Sequence, residues 1–335
     1  MTKKTKSALN ILSEATGLYF SNFDKFTQYM TFPVLGQILG LLVILGTVFV
    51  YTKNLPYLIE KFSIFNDFYA LIIVSILLTL PGLIIFVKAF WEYLVAYGAI
   101  NSMYENMSKS GRVYDFRAHT ELIKRRTFSF VCLWFLFSIF SFLAIFPPFW
   151  IIAGVFAIYF VLVFQVFTFE PDLSPIGCVK RSFLLIKGHF AKTFILFLMT
   201  GIVTYIFIPQ IFVKLFEISG IADFVSNLIN PFISQLPLID LSKFNIVISE
   251  KDIAISSIQI ILSQILIQYT LPLRSILWSL WYNERKSGFA QTNKNQTKRS
   301  SKRPSEKLME ASHKKHTKKL DKNILKRAAE KDDEE

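Results

Sequence analysis

Five stretches of the sequence hold no charged residue over 20 or more positions, and this feature restricts the fold more than any other. They are 26–52, 68–87, 127–169, 193–213 and 253–273. An α-helix needs about 20 apolar residues to cross a bilayer. Four stretches therefore fit one crossing each, and the longest fits two, with Pro147-Pro148 as the turn between them. The sequence predicts an all-α integral membrane protein with six transmembrane helices.

Composition and chain order divide the sequence into three parts. Hydrophobic residues make up 53% of the chain and charged residues 18%, whereas soluble domains carry about 25% charged residues. We expect a cytoplasmic amphipathic segment over 1–31, a membrane domain over 32–282 and a basic, largely disordered cytoplasmic tail over 283–335. The predicted spans are about 32–51, 68–88, 127–146, 149–169, 190–212 and 253–273.

Lysine and arginine are distributed unevenly among the segments that connect the spans. The N-terminal segment, the loops near 99–126 and 170–192 and the tail from 282 together hold 30 of them, and the alternate loops hold 5. If the tail is left out, the first set of segments still holds 14 lysines and arginines, against 5 in the alternate loops. Because cytoplasmic loops carry the excess of basic residues, we expect both termini to be cytoplasmic.

Helical periodicity extends beyond the predicted spans on the cytoplasmic side. Apolar residues recur at helical spacing among polar ones over 7–30, which predicts an interfacial helix. The apolar pattern of span two continues past Lys88 and Glu92, so we expect its helix to extend to about residue 107. Pro81-Gly82 within this span favours a kink.

A second interfacial helix is predicted before span five. Ser174 suits the N-cap and Pro175 the first helical position, and Gly188 is typical of a helix end. The expected apolar face holds Ile176, Val179, Phe183 and Ile186. The basic residues Lys180, Arg181 and Lys187 lie off that face, where they would meet anionic headgroups at the cytoplasmic surface.

Two segments are less regular. Residues 213–252 favour a short helix on the outer interface, broken at Pro231 and Pro237, with a lid or a re-entrant segment as alternatives. The tail is basic before its acidic end. We expect its early part to be disordered, its charge to attract anionic lipids, and a helix to be possible over 305–331.

Three ionisable residues lie within or beside the predicted spans, where such residues are candidates for function. Lys88 and Glu92 are four residues apart, so they can form an interfacial ion pair or line a polar cavity. Arg274 can extend its side chain toward the headgroups, or pair with Glu92 or a lipid phosphate. If spans two and six meet, the three residues would form a candidate contact site for an anionic lipid or a solute.

The segment from Val179 to Phe190 resembles the Ser-x-x-Leu-x-x-Gly-x-Phe/Trp helix before the fifth span of the YciC-like uncharacterised bacterial membrane proteins. The same module resembles the membrane domain of some glycerophosphodiester phosphodiesterases. The chain from Pro272 through Tyr282 is similar to that family's final span and its Tyr-Tyr-Asp-x-Arg exit, although Asn283-Glu284 replaces the Tyr-Asp part. The resemblance covers about 7–290 and implies a six-span bacterial inner-membrane protein with no assigned chemistry.

No catalytic residue is carried over from that resemblance, because the matched region has none of the His, Glu and metal-binding carboxylates of the phosphodiesterase barrel. No motif predicts a catalytic residue, a cofactor or a metal site, so we expect a protein that is not an enzyme. Nucleic acid is not an expected partner, since no Phe, Tyr or Trp follows Phe289 to stack on a base.

Two hypotheses for the function follow. The first is a non-enzymatic membrane protein that organises envelope lipids or partner proteins. Membrane lipids are its expected partners, with a membrane-protein partner or a homo-oligomer as further possibilities. The alternative is a transporter or lipid-handling protein with a polar cavity at the inner leaflet.

Overall fold

The computed structural model describes residues 6–113, 116–233 and 249–300, and every regular element within them is helical. The helices are α1 (Ala8–Ser21), α2 (Phe23–Lys61), α3 (Phe68–Ser110), α4 (Phe116–Lys124), α5 (Thr127–Leu143), α6 (Trp150–Phe160), α7 (Val163–Phe169), α8 (Pro175–Ile186), α9 (Phe190–Gly201), α10 (Ile208–Ile218), α11 (Ile221–Ile233), α12 (Glu250–Tyr269) and α13 (Leu271–Ser300). Short 3₁₀ turns at Ser63–Asn66 and Pro147–Phe149 and a π-helical segment at Ile202–Phe207 connect some of them. The all-α class is confirmed.

Within the described ranges, five helical segments are long and apolar enough to cross a membrane. They are Phe23–Lys61, Phe68–Ser110, Pro147–Phe169, Phe190–Ile218 and Lys251–Phe289. A sixth is available if α4 and α5, which meet at an angle of 77°, count as one span. The structure therefore has several apolar helices compatible with membrane insertion.

The segment over 7–30 is not one interfacial helix, and this prediction is wrong. Asn22 separates α1 from α2. Its side-chain Nδ2 donates to the carbonyl oxygen of Gly111 at 3.1 Å, and its Oδ1 accepts from the backbone N–H of Val113 at 3.0 Å. The buried amide thus ties the α1–α2 junction to the end of α3, a contact that sequence periodicity does not encode.

The apolar face of α1 packs against the protein. Ile11, Ala15 and Tyr19 are buried, and the Tyr19 hydroxyl donates to the carbonyl oxygen of Tyr269. Burial raises the pKa of Tyr19 to about 12. Leu9 on another side of the helix is 67% exposed, so α1 has one face toward the protein and a second apolar surface that remains uncovered.

Glycines allow α2 and α3 to pack closely as an antiparallel pair. A Cβ atom at Gly40 would lie 2.6 Å from the amide nitrogen of Phe86, and one at Gly82 would lie 2.9 Å from the carbonyl oxygen of Gly40. Only glycine fits such positions. α3 continues without interruption through Pro81 and reaches Ser110, which confirms its predicted extension past the span.

The helical hairpin predicted over 127–169 is present. α5 leads to the turn at Pro147–Phe149, and α6 and α7 form the returning arm. The returning arm is interrupted between Phe160 and Val163. The prolines end one helix and begin the next turn because proline lacks the N–H that would continue the first.

The chain after span five differs from the prediction. α9, the π-helical segment and α10 follow one another to Ile218, so no loop begins at 213. α11 starts after Gly220, whose φ of 73° is left-handed. Pro231 lies inside α11 and does not break it. Pro237 lies outside the described residues.

The last helices show a second difference. Thr270 separates α12 from α13, directly before Leu271-Pro272. α13 then continues to Ser300, where the early tail was expected to be disordered. Residues 283–300 contain no proline and are rich in Lys, Arg and Gln, which favour helix. The chain divides into two compact units between Asn283 and Glu284, and the predicted helix over 305–331 lies outside the described residues.

Candidate functional site

Lys88 and Glu92 lie on α3 but do not pair with each other. The Glu92 carboxylate accepts a hydrogen bond from Lys124 Nζ of α4 at 3.0 Å. The Lys88 ammonium lies 5.7 Å from the centre of the Phe32 ring. The expected ion pair is therefore wrong, because α4 packs against α3 and brings Lys124 to the carboxylate.

Glu92 also lines a small pocket of about 180 Å³ together with Tyr29, Phe32 and Pro33 of α2. The Tyr29 hydroxyl shares a hydrogen bond of 2.7 Å with the hydroxyl of Thr120. The pocket thus has one carboxylate and one phenol among apolar walls. It is the nearest feature in the structure to the polar cavity expected at these residues.

Arg274, in the first turn of α13, has neutral partners. Its guanidinium donates to the Tyr205 hydroxyl, to the Tyr93 hydroxyl at 3.5 Å and to the carbonyl oxygen of Ile267 at 3.0 Å. Its central carbon lies 4.8 Å from the centre of the Tyr205 ring. In the part of the chain that the structure describes, no carboxylate forms an ion pair with it, and its buried Nε has no acceptor.

α3, which contains predicted span two, meets α13, which begins at the end of predicted span six. Tyr93, which follows Glu92 on α3, contacts Arg274 of α13. A further contact joins the same helices at Asn101 and Ser275. Lys88, Glu92 and Arg274 therefore lie on helices that pack together, but each has a different partner. Lys88 and Arg274 both face neutral groups of the protein, a phenyl ring for Lys88 and hydroxyl and carbonyl oxygens for Arg274.

A buried polar cluster, which sequence reasoning missed, surrounds Asn101. The Asn101 Oδ1 accepts from Gln165 Nε2 at 3.1 Å, from the Ser275 hydroxyl and from the Ser279 hydroxyl at 3.4 Å. All four side chains are fully buried. Asn101 Nδ2 and Gln165 Oε1 have no partner in the described structure. The cluster links α3, α7 and α13 through hydrogen bonds that apolar packing alone would not supply.

The second predicted interfacial helix is present as α8. The Ser174 side chain accepts from the N–H of Gly177 at 3.2 Å, Pro175 opens the helix, and Gly188 has a left-handed φ of 82°. Its start and its end are therefore confirmed. Lys180 and Lys187 are exposed, while Arg181 is engaged in an ion pair.

The side of α8 that packs on the protein is only partly the predicted apolar face. Cys178, Ser182, Leu185 and Ile186 are buried, and of the predicted face Ile186 is among them, whereas Ile176 and Phe183 are exposed. The Ser182 hydroxyl donates to the carbonyl oxygen of Tyr159 at 2.7 Å, which fixes the rotation of the helix. Burial raises the pKa of the Cys178 thiol to about 11.

Arg181 belongs to a half-buried cluster centred on Glu170. The Glu170 carboxylate accepts from Arg181 Nε at 3.1 Å and from the Tyr282 hydroxyl at 2.7 Å. Beside it, Arg126 donates to the carbonyl oxygen of Phe167 at 2.6 Å, with its guanidinium 4.0 Å from that ring. Glu170 and Tyr282 are 112 positions apart, so no local spacing could have indicated the contact.

Comparisons of this chain with protein-family models, with curated proteins and with solved structures find no match. The site is therefore interpreted from its chemistry. It offers an arginine with neutral partners, a paired carboxylate beside a small pocket, and exposed lysines on α3 and α8. Of these features, which the described structure does not gather into one site, Arg274 is the one suited to binding an anion, because its Nε has no acceptor.

Proposed function

We propose that this chain is a six-span protein of the bacterial inner membrane, with both termini in the cytoplasm, that organises anionic lipids without catalysing a reaction. The five long apolar helices and the bent α4–α5 pair would supply six spans. The excess of basic residues in alternate loops supports the orientation. The resemblance to the YciC-like membrane proteins supports the same proposal. Partner membrane proteins, or a second copy of the chain, are further contacts that it would organise.

The observation that carries this proposal is the environment of Arg274. Arg274 directly follows predicted span six, at a level where a guanidinium either reaches the headgroups or needs a partner within the protein. Two phenol hydroxyls and one carbonyl oxygen face Arg274, and none of them carries a negative charge. An anionic oxygen would supply both the missing charge and an acceptor for Nε.

A phosphate group is the anion that fits these donors. The planar guanidinium presents N–H groups that match two oxygens of one phosphate. Because α13 follows an apolar span, we favour a phospholipid headgroup over free phosphate as the source of the anion at Arg274. Tyr205 lies on the π-helical segment, and such segments occur frequently at functional sites. Exposed Lys88, Lys180 and Lys187 add positive charge that attracts anionic lipids.

Native mass spectrometry of the full chain, released from a membrane into mild detergent, tests the proposal. The wild type should retain anionic phospholipid, and Arg274→Gln should lose it. Arg274→Lys should retain part of it, because the charge remains without the bidentate geometry. Lys61→Gln is the matched control, since Lys61 is a cation on α2 held by Tyr57 of its own helix.

Equal retention by the wild type and Arg274→Gln would overturn the lipid site. Added inorganic phosphate separates the two sources of the anion. If phosphate binds to a lipid-free wild type and no phospholipid is retained, the arginine holds a soluble anion and the proposal of a lipid organiser is wrong.

A transporter or lipid-handling protein is the second candidate, and the pocket beside Glu92 favours it. In proteoliposomes, such a protein should move a fluorescent anionic phospholipid between leaflets. Glu92→Gln should abolish this movement, while Glu105→Gln should not, because Glu105 is exposed and pairs with Lys109 of its own helix. A wild type that moves no lipid would exclude this candidate.

A further inference from the structure

One side of α12 combines polar side chains with exposure. Ser256, Ile260 and Gln264 follow one another at intervals of four residues, and all three are exposed. Residues four apart lie on the same side of a helix, so they form one ridge along α12. Ser257 and Ser263 lie beside Ser256 and Gln264 in the sequence and border this ridge. These five residues together are called the α12 ridge.

The polar side chains of the α12 ridge are not hydrogen-bonded to any other part of the chain that the structure describes. The other two glutamines of α12 are bonded to neighbouring helices. Gln259 Nε2 donates to Glu217 Oε1 of α10 at 2.6 Å. Gln268 Oε1 accepts from Gln37 Nε2 of α2 at 3.2 Å. The protein therefore satisfies the amides that face α10 and α2, while the amide of Gln264 faces outward.

Gln264 lies near the middle of predicted span six. It is about ten residues from either end of 253–273, so the rise of a helix places it about 15 Å from each end. If α12 crosses the membrane, as the proposed function requires, this amide lies in hydrocarbon, which offers no hydrogen-bond partner. Polar side chains in such positions favour association between helices.

A second copy of the chain supplies a matching group at the same depth. Two copies with the same topology run their α12 helices in parallel, and a two-fold axis along the membrane normal places Gln264 opposite the partner subunit's Gln264. A primary amide has two donors and one acceptor oxygen, so two identical amides can satisfy each other, whereas two identical charges would repel. The serines of the ridge allow two helix backbones to approach closely.

We propose that the α12 ridge is the interface of a parallel homodimer, in which the two Gln264 amides hydrogen-bond across the two-fold axis. Ile260, which is 63% exposed, would pack against its own copy at the centre of the interface. Lipid tails cannot satisfy the amide, and a different membrane protein would need a polar group at the same depth, which a second copy has by symmetry. The proposal rests on the proposed membrane insertion of α12, and it does not require a lipid at Arg274.

Oxidative crosslinking of the full-length protein in proteoliposomes tests the contact. Single cysteines replace Ile260 or, as the matched control, Ile76 of α3, in a background with Cys132→Ser and Cys178→Ser. Both positions are exposed, Ile260 at 63% and Ile76 at 58%. Copper phenanthroline should join two copies through Ile260→Cys and not through Ile76→Cys, because a disulfide requires Cα atoms within about 7 Å of each other.

The role of the amide is tested by energy transfer between labelled copies at increasing dilution in lipid. Gln264→Leu should weaken the dimer about tenfold, which corresponds to the loss of two interhelical hydrogen bonds. Gln264→Asn should restore part of the association, because it keeps the primary amide. Gln210→Leu is the matched control, since Gln210 is an exposed glutamine of α10 and lies outside the ridge.

Equal association of the wild type and Gln264→Leu would overturn the proposal, and so would equal crosslinking at Ile260→Cys and Ile76→Cys. A wild type that stays monomeric in lipid would overturn it and assign the ridge to a different partner. Access of a water-soluble nickel chelate to a nitroxide at Ile260 would contradict the membrane position of α12 itself. Arg274→Gln should dimerise like the wild type, so failure of the lipid site and failure of the dimer are distinguished.

Discussion

Two regions of the α2–α3 pair have similar apolar composition and different surroundings. The distal part, residues 41–88, has aliphatic side chains that are largely uncovered: Leu45 is 56% exposed and Ile76 58%. The packed part, residues 89–107 of α3, has side chains such as Ile100 and Met103 with no exposed surface. Hydropathy therefore identifies both regions as apolar without distinguishing contact with lipid from contact with protein.

Polar side chains separate the two regions more clearly. In the distal part, Thr47 and Ser75 donate to carbonyl oxygens four residues earlier in their own helices, Val43 and Leu71. In the packed part, Asn101 hydrogen-bonds to two other helices. Hydroxyls satisfied within one helix are compatible with a lipid environment, whereas polar groups shared between helices hold an assembly together.

The largest effect is expected where the distal part itself packs closely. Gly82→Leu should lower the free energy of unfolding in detergent by about 3 kcal/mol or more, because its Cβ would lie 2.9 Å from the backbone nitrogen of Ile44. Gly46→Leu, where the space is open, should be nearly neutral. Thermal unfolding of both variants measures the difference, and equal stability would contradict the packing of α2 on α3.

A somewhat smaller effect is expected at the polar cluster of the packed part. Asn101→Leu leaves the buried Ser275 and Gln165 groups without their shared acceptor, and should cost about 2 kcal/mol. Thr47→Val, in the distal part, removes a hydroxyl that bonds only its own helix and should cost less. Denaturant unfolding provides the comparison. A larger loss of unfolding free energy for Thr47→Val than for Asn101→Leu would contradict the contrast between the two regions.

The Glu170 cluster, which lies outside the α2–α3 pair, makes a smaller contribution to stability. Tyr282→Phe removes a hydrogen bond of 2.7 Å to a half-buried carboxylate and should lower the free energy of unfolding by about 1 kcal/mol. Tyr69→Phe is the matched control, because Tyr69 is 74% exposed at the start of the distal part of α3. The same unfolding assay applies, and a neutral Tyr282→Phe would show that the carboxylate finds another donor.

A further effect is confined to alkaline pH. The pKa of the Cys178 thiol is raised from its ordinary value of 9.0 to about 11 by burial. The native state therefore holds this proton more tightly than the unfolded state, so its contribution to stability is complete below pH 9 and is lost as the pH rises toward 11. The decline should be shallower in Cys178→Ser. Melting temperatures of the wild type and of Cys178→Ser, measured across this pH range, check the prediction. Curves that fall in parallel for the two proteins would contradict it.

Local features of the fold could be predicted from the sequence, and contacts between distant residues could not. The N-cap at Ser174 and the left-handed Gly188 depend on a few neighbouring residues, so their positions were predicted correctly. The pairing of Glu92 with Lys124 depends on how α4 packs on α3, and helical spacing alone favoured Lys88. The Tyr205 contact of Arg274 likewise requires two separate helices to meet.

The burial of side chains on α8 shows the same limit of prediction from sequence. The face of α8 that holds Ile176 is apolar in sequence, yet Cys178 and Ser182 are buried instead, because the hydrogen bond from Ser182 to Tyr159 sets the rotation of the helix. Amphipathic spacing identifies a helix with one apolar face. It does not identify whether that face meets the protein or the lipid, when both are apolar.

Nitroxide accessibility in nanodiscs tests the central contrast most directly. Single labels at Leu45, Ile76 and Met103, in a background with Cys132→Ser and Cys178→Ser, are exposed in turn to oxygen, which enters hydrocarbon, and to a water-soluble nickel chelate. We expect oxygen and not nickel to reach Leu45 and Ile76, and neither reagent to reach Met103. Strong nickel access at Leu45 and Ile76 would place the distal part in water and contradict its contact with lipid.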